Sequence, residues 1–141
     1  MRGSWTARGG PARPHLRKAT ATTAMEAKAN VFPPHSDDGY RQVLPGVRLK
    51  ALAHGERMLM TEFRLVAGHC LPRHSHPQEQ TGYLVSGHLR LSIGEETFDA
   101  LPGGSWYVPA DVEHGAEVLQ DTIAIEVFSP VREDYLPPHD E

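Results

Sequence analysis

Apolar and polar residues alternate in short stretches along much of the chain. In an extended strand over residues 88–93, Leu89, Leu91 and Ile93 would lie on one face, and Arg90 and its polar neighbours on the other. This alternation is typical of a strand with one buried face. No segment has a convincing period of 3.6 residues, so the pattern predicts strands. The predicted strands are 47–53, 57–66, 80–86, 88–93, 96–100, 105–108, 114–119 and 122–128.

Turn residues separate these strands, and the chain has 13 glycines and 12 prolines among its 141 residues. Residues 30–46 are rich in proline and predict an extended segment that leads into the first strand. About eight short strands with regular turns favour a closed or sandwiched antiparallel all-β fold. Such a fold leaves an interior that can hold one small ligand. The predicted turns are 55–56, 67–68, 86–87, 94–95, 102–104 and 120–121.

The last predicted strand, 122–128, has two faces that could each be the interior. One face carries β-branched residues at 123, 125 and 127, and the other carries Ala124, Glu126 and Phe128. If the β-branched face packs inside the sandwich, Glu126 lies outside. If that face packs against a second sheet or a partner subunit, Glu126 faces the interior and can act as a general acid or base.

Charge and composition exclude several classes of protein. The formal net charge is -4, which does not indicate the basic surface of a protein that binds nucleic acid. No apolar run approaches the roughly 18 residues of a membrane helix. The single cysteine, Cys70, excludes an internal disulfide framework and a cysteine-cluster zinc site. We therefore expect a cytoplasmic protein that binds neither nucleic acid nor membrane.

The first residues of the chain differ from the rest. We expect a disordered basic arm over 1–29 and a single β-barrel domain over 30–141. The arm is open to three interpretations: upstream sequence before a second start at Met25, an organelle transit peptide, or a functional basic arm. Residues 1–24 contain no acidic residue, and their basic residues are Arg2, Arg8, Arg13, Arg17 and Lys18.

Histidines carry the most specific chemical signal, with nine in the chain. His74 and His76 are two residues apart, so on an extended strand their side chains project from the same face. Glu79 and Gln80 follow closely, and His114 lies on a separate predicted strand. A divalent first-row metal needs three or four nitrogen or oxygen donors, and histidine is its commonest ligand. Two histidines of this spacing alone also occur in solvated turns, so the third one matters.

Two motifs resemble those of the cupin family. The stretch GHCLPRHSHPQEQTGYLVSG (68–87) is similar to the first cupin motif, and GGSWYVPADVEH (103–114) is similar to the second. Fifteen residues separate Gly87 from Gly103, a spacing typical of small microbial cupins. The resemblance implies an antiparallel jelly-roll barrel, also called a double-stranded β-helix. It also implies a divalent transition metal, such as Zn, Mn, Ni or Fe, held by His74, His76, Gln80 and His114.

The sequence departs from the cupin pattern at three positions, one of which is Val118, where the second motif can have Asn. Asp111 stands where the second motif has Gly, and Gln80 stands where the first has Glu. A carboxamide is neutral, so it does not reduce the charge of a bound divalent ion as a carboxylate would. The ion would then be a stronger Lewis acid and would bind an anionic substrate more readily. Weaker metal binding, a metal-free cupin and a shifted register with Glu79 as the ligand are the alternatives.

A narrower resemblance concerns the stretches HSHPQEQTGYLVSG (74–87) and EVFSPVREDYL (126–136). They are similar to small KdgF-like cupins of pectin degradation, which open the ring of 4,5-unsaturated monouronates. This resemblance implies that Glu126, Phe128 and Arg132 line the catalytic site. Family members usually have Asp at the first of these positions.

These resemblances lead to three hypotheses for function. The first is metal-assisted acid/base ring opening or isomerisation of a small anionic sugar acid, with Arg132 bound to its carboxylate. Arg132 could instead pair with Glu133 or Asp134 at the surface. The second hypothesis is an Fe(II)-type dioxygenase, and the third is a non-catalytic module that binds a small ligand. Whether the protein is an enzyme stays open, and the resemblance also implies a homodimer.

Overall fold

The computed structural model describes residues 31–137, and the predicted basic arm lies outside the described residues. Within this range the chain forms eight β-strands and one short 3₁₀ helix, Glu133–Tyr135. The strands are β1 Arg41–Leu44, β2 Val47–His54, β3 Leu59–Leu65, β4 Cys70–His74, β5 Glu79–Ile93, β6 Glu96–Ala100, β7 Ser105–Val108 and β8 His114–Ser129. The prediction of an all-β jelly-roll barrel is confirmed.

All strand pairs are antiparallel. The main path runs β1-β2-β3-β8-β5-β6, with β4 paired to β8 and β7 paired to β5. The long strand β8 pairs with β4 over its first part and with β3 over its second, while β5 runs along nearly all of it. One end of β8 therefore meets the segment that carries the histidine pair, and the other end meets β3.

The predictions that divided β5 and β8 into two strands each are wrong. The expected turns at 86–87 and 120–121 are irregularities within continuous strands. Gly87 has φ +101°, and a Cβ there would overlap Thr122 on the opposite strand. Because glycine adopts this conformation without steric cost, the strand bends at a bulge and continues.

Two short strands escaped the sequence analysis. β1 lies inside the segment 30–46, which was expected to be merely extended, and β4 contains Pro72. A proline lacks the N–H of a ladder hydrogen bond and is confined to strand edges. A strand of four or five residues of mixed polarity shows no clear alternation of apolar and polar positions. These two strands are therefore identified only by their pairing with neighbouring strands.

The core is formed by the inward faces of the strands. Leu49, Leu59, Leu84 and Phe128 are at most 1% exposed, and each such side chain contributes about 1.5–3 kcal/mol by burial. On β8 the residues Ala124, Glu126 and Phe128 are buried, whereas 123, 125 and 127 are half-buried. Glu126 therefore faces the interior, the arrangement under which it can serve as an acid or base.

Within residues 31–137, the structure contains no helix with the length and apolar character needed to cross a bilayer.

Candidate metal centre

The three histidines of the two motifs come together in space. His74 ends β4, and His114 begins β8 as its cross-strand partner. The ring centroid of His114 lies 4.3 Å from that of His74 and 4.8 Å from that of His76. One nitrogen from each ring lies within 4.8 Å of the others. His114 lies 38 residues after His76 in the chain, so two distant stretches supply one cluster of donors, as the resemblance implied.

Two local features of the backbone place these rings. A Cβ on Gly115 would lie 2.7 Å from the Leu71 carbonyl oxygen, so the glycine allows β4 to approach β8 closely beside His114. Asp111 has φ +63°, the left-handed region in which glycine is usual. Its N–H donates to the His76 carbonyl at 2.8 Å, which fixes the loop that carries His76. The departure from Gly at this position thus leaves the turn intact.

The tautomers of the three rings suit metal binding. Each Nδ1 contacts a backbone carbonyl oxygen: Pro72 at 2.8 Å for His74, Gln78 at 3.0 Å for His76 and Val112 at 2.9 Å for His114. An Nδ1–H that donates to a carbonyl leaves the Nε2 lone pair free, as in known metal-binding histidines. The Nε2 of His114 is buried and has no hydrogen-bond partner within residues 31–137. The residues present therefore fit a bound divalent ion.

Burial keeps two of these imidazoles neutral. Burial lowers the pKa of His114 to about 4. The pKa of His76 is also lowered, first by burial and then by the positive charge of Arg132. Because a metal binds only the neutral imidazole, both rings are ready for binding at neutral pH without losing a proton.

Gln80, rather than Glu79, points to the histidines. The Gln80 side chain is buried, and its Oε1 lies 3.0 Å from Nε2 of His76. With the Nδ1 proton of His76 on the Gln78 carbonyl, both of these atoms are acceptors. Two acceptors about 3 Å apart have the spacing of neighbouring ligands on one small cation. Glu79 is exposed and accepts a hydrogen bond from the Tyr107 hydroxyl at 2.6 Å.

Glu126 lies on the other side of Gln80. Its carboxyl is buried, and its Oε2 accepts a hydrogen bond from Nε2 of Gln80. Burial raises the pKa of Glu126 to about 8, while hydrogen bonds from Gln80 and Trp106 act in the opposite direction. The carboxyl therefore holds a proton at neutral pH, and Gln80 connects it to the histidine cluster.

Phe128 and Arg132 lie beside the same cluster. Phe128 is 1% exposed and packs edge-on against His76, with ring centroids 5.7 Å apart. The guanidinium of Arg132 lies 3.9 Å from the ring centroid of Tyr135 and donates from Nε and Nη2 to the Asp134 carboxylate at 3.2 and 3.1 Å. The pair with Asp134 thus forms, yet the Arg132 side chain is only 16% exposed and lines the interior cavity.

The cavity at the centre of the site has a volume of about 50 Å³. His74, His114, Gln80, Glu126, Arg132 and Tyr135 are among its lining residues. This volume is well below the roughly 300 Å³ of a small-molecule pocket, so it suits a carboxylate or the reacting end of a larger ligand. Tyr135 was not predicted as a site residue, since a lone aromatic residue after the last strand has no periodic pattern to reveal it.

The fold and the histidine cluster define the class of protein. Residues 61–129 match the family model described as the cupin domain. Residues 61–129 therefore form a cupin domain, and the predicted resemblance to the cupin family is confirmed.

Two solved structures are similar over most of their length. KdgF from a Halomonas species is 29% identical, with a TM-score of 0.71, and the match covers 74% of this chain and 97% of that chain. An RmlC-like cupin from Shewanella frigidimarina is 25% identical, with a TM-score of 0.71, covering 74% and 95%. A curated relative, an uncharacterised protein of Streptomyces coelicolor, is 33% identical over 69 residues. That match spans 48% of this chain and just under two thirds of the relative, at 66%.

Proposed function

We propose that the protein is a metal-dependent cupin enzyme that opens the ring of a small unsaturated sugar acid. The observation that carries this proposal is the contact between Glu126 and Gln80, which links a buried acid to the histidine cluster within one cavity. The similarity to KdgF supports it, because the KdgF-like resemblance implies ring opening of a 4,5-unsaturated monouronate.

His74, His76, His114 and Gln80 would hold a divalent transition metal, which would supply Lewis acidity toward a substrate oxygen. None of the four ligands is a carboxylate, and burial keeps His76 and His114 unprotonated. The site therefore does not offset the charge of the ion with a ligand carboxylate, which favours an anionic substrate.

Arg132 binds the substrate carboxylate in this proposal. A guanidinium has five N–H groups, and two of its nitrogens donate one hydrogen bond each to Asp134. The remaining N–H groups can form the two parallel hydrogen bonds that a carboxylate prefers. Asp134 and the ring of Tyr135 hold the guanidinium in one orientation.

Glu126 moves the proton. In the ring opening the anomeric hydroxyl loses a proton, and the bond from the anomeric carbon to the ring oxygen breaks. The anomeric carbon becomes an aldehyde, and the resulting enolate takes up a proton at carbon 4 and becomes a ketone, so the reaction is an isomerisation without oxidant. A buried carboxyl beside the substrate can serve such transfers, and Phe128 limits the access of water. The whole sugar exceeds the cavity of about 50 Å³, so only its reacting end would enter it.

The test is anaerobic turnover of a 4,5-unsaturated monouronate by the metal-loaded protein. We expect the absorbance of the enol-ether group to fall with the wild type and with Glu79→Gln, and to persist with Glu126→Gln. Glu79 is the matched control because it neighbours Gln80 and points outward. If the Fe(II)-loaded protein consumes oxygen and shows no anaerobic turnover, this proposal is wrong and the dioxygenase hypothesis is supported. Tight binding of the uronate without turnover would replace it by the non-catalytic module.

A further inference from the structure

Gly82 on β5 lies between two cross-strand neighbours on the inner side of the barrel. Its partner on β7 is Trp106, and its partner on β8 is Glu126. Gly82 and Glu126 are buried, and Trp106 and Glu126 both line the central cavity. Since neighbouring strands lie about 4.8 Å apart, the tryptophan and the glutamate can meet only across the middle strand.

The missing side chain of Gly82 lets the tryptophan cross. A Cβ on Gly82 would overlap Cε2, Nε1 and Cζ2 of Trp106. The edge of the indole that carries the N–H therefore rests directly on Gly82, on the side toward Glu126. An indole N–H only donates hydrogen bonds, and a carboxyl group can accept one whether or not it holds a proton. A hydrogen bond from Trp106 lowers the pKa of Glu126, against the larger opposite effect of burial.

Glu126 in turn determines how the Gln80 amide is oriented. A glutamine amide can place either its oxygen or its nitrogen on a given side. Here the Gln80 nitrogen donates to Oε2 of Glu126, so the oxygen faces Nε2 of His76 at 3.0 Å. An amide with the opposite orientation would present N–H groups to the histidines and could not bind a cation there. Glutamate, the usual residue at this position, has no such ambiguity.

We propose that Trp106, seated over Gly82, is a positioning residue that fixes the Glu126 carboxyl, and that Glu126 thereby keeps the oxygen of Gln80 directed at the histidines. This inference rests on the metal site of the proposed function, and it requires no catalytic step. Residues that orient metal ligands typically change metal affinity by about 10- to 100-fold when replaced. That range sets the size of the expected effect.

The test is titration of Co²⁺ into the metal-free full chain, followed by visible absorption. Trp106→Phe keeps an aromatic ring and removes the N–H, and Gly82→Ala displaces the indole. We expect both to weaken Co²⁺ binding by about 10- to 100-fold, with the melting temperature of metal-free Trp106→Phe close to that of the wild type. Tyr107→Phe and Gly55→Ala are matched controls, since Tyr107 is exposed and Gly55 has open space around it. Both controls should bind Co²⁺ like the wild type.

A double-mutant cycle with Glu126→Leu separates positioning from packing. If Trp106 acts through the carboxyl, Trp106→Phe should have no further effect on Co²⁺ affinity in the Glu126→Leu background. An equal loss of affinity in both backgrounds would overturn the inference. A lowered melting temperature with unchanged Co²⁺ affinity would also overturn it and leave a structural role.

The outcomes also separate this inference from the proposed function. Failure of the wild type to bind Co²⁺ would overturn both. The wild type could bind Co²⁺, and Trp106→Phe could weaken binding only when Glu126 is present. If the uronate is then not turned over, only the proposed reaction is overturned, and the positioning role of Trp106 is supported.

Discussion

The two faces of β8 differ in the opposite sense to the one that hydrophobicity alone would predict. The outward face carries Ile123, Ile125 and Val127, which are half-buried, while the inward face carries Ala124, Glu126 and Phe128, which are buried. The more apolar set thus lies outside and a carboxyl lies inside. Burial of a carboxyl costs stability unless it is protonated or hydrogen-bonded, and Glu126 receives both compensations. A buried acid beside a cavity is accordingly a strong candidate for function.

The comparison predicts that changes on the inward side abolish function, whereas changes on the outward side leave it intact. Loss of a histidine should have the largest effect. His114→Ala removes a buried Nε2 that has no other partner among the described residues, so we expect at least about 100-fold weaker metal binding. Metal content after dialysis, measured by plasma mass spectrometry, checks this. His88→Ala is the control, because His88 pairs with Asp99 away from the cluster. Equal metal content in the two variants would argue against the site.

Replacement of the inward acid should come next. Glu126→Gln keeps the size of the side chain and removes the group that carries the proton. We expect ring opening to slow by about 10²- to 10⁴-fold, the usual contribution of a general acid or base. Steady-state rates with the unsaturated uronate measure this. An unimpaired rate would show that the inward carboxyl is not the acid or base.

Stability of the metal-free protein should depend on pH through the same inward groups. Between pH 6.5 and 8 the folded state holds a proton on Glu126, whose pKa is about 8, and the unfolded state does not. The free energy of unfolding should therefore fall as pH rises, by at most about 1.4 kcal/mol per pH unit. Below pH 6.5 the lowered pKa of His114, about 4, acts in the opposite direction, because there the unfolded state binds more protons.

Denaturant unfolding at several pH values measures this dependence. We expect greatest stability near pH 6.5, and Glu126→Gln should remove the decline above it. A decline of the same slope in that variant would assign the effect to another group.

Changes on the outward face should have the smallest effect on the site. Met60 and Tyr83, next to the outward residues of β8, are 41% and 49% exposed. The cupin resemblance implies a homodimer, and a twofold contact needs only one apolar face on each copy. We expect Ile125→Lys to give a monomer by light scattering with unchanged metal affinity. Leu101→Lys, a change at an exposed apolar residue in a turn, should leave the dimer intact. A monomeric wild type would contradict the expectation.

Much of the fold was predictable, because strands such as β6 and β7 lie between turn residues and residues 88–93 of β5 alternate in polarity. The gathering of His74, His76 and His114 was predictable from the motif resemblance. The continuity of β5 was not, since Gly87 reads as a turn until Thr122 is known to lie opposite it. Contacts across three strands, such as that of Trp106 over Gly82, have no signal in a single sequence. The inward direction of Glu126 depended on what covers each face, which alternation alone does not specify.

We propose that side chains from distant stretches of the chain surround one cation next to Glu126. A crystal structure with anomalous diffraction data, collected at the absorption edge of the bound metal, tests this. We expect one peak within about 2.0–2.3 Å of Nε2 of His74, His76 and His114, with Oε1 of Gln80 also coordinated. A peak elsewhere, or a metal-loaded crystal with no peak between these histidines, would contradict it.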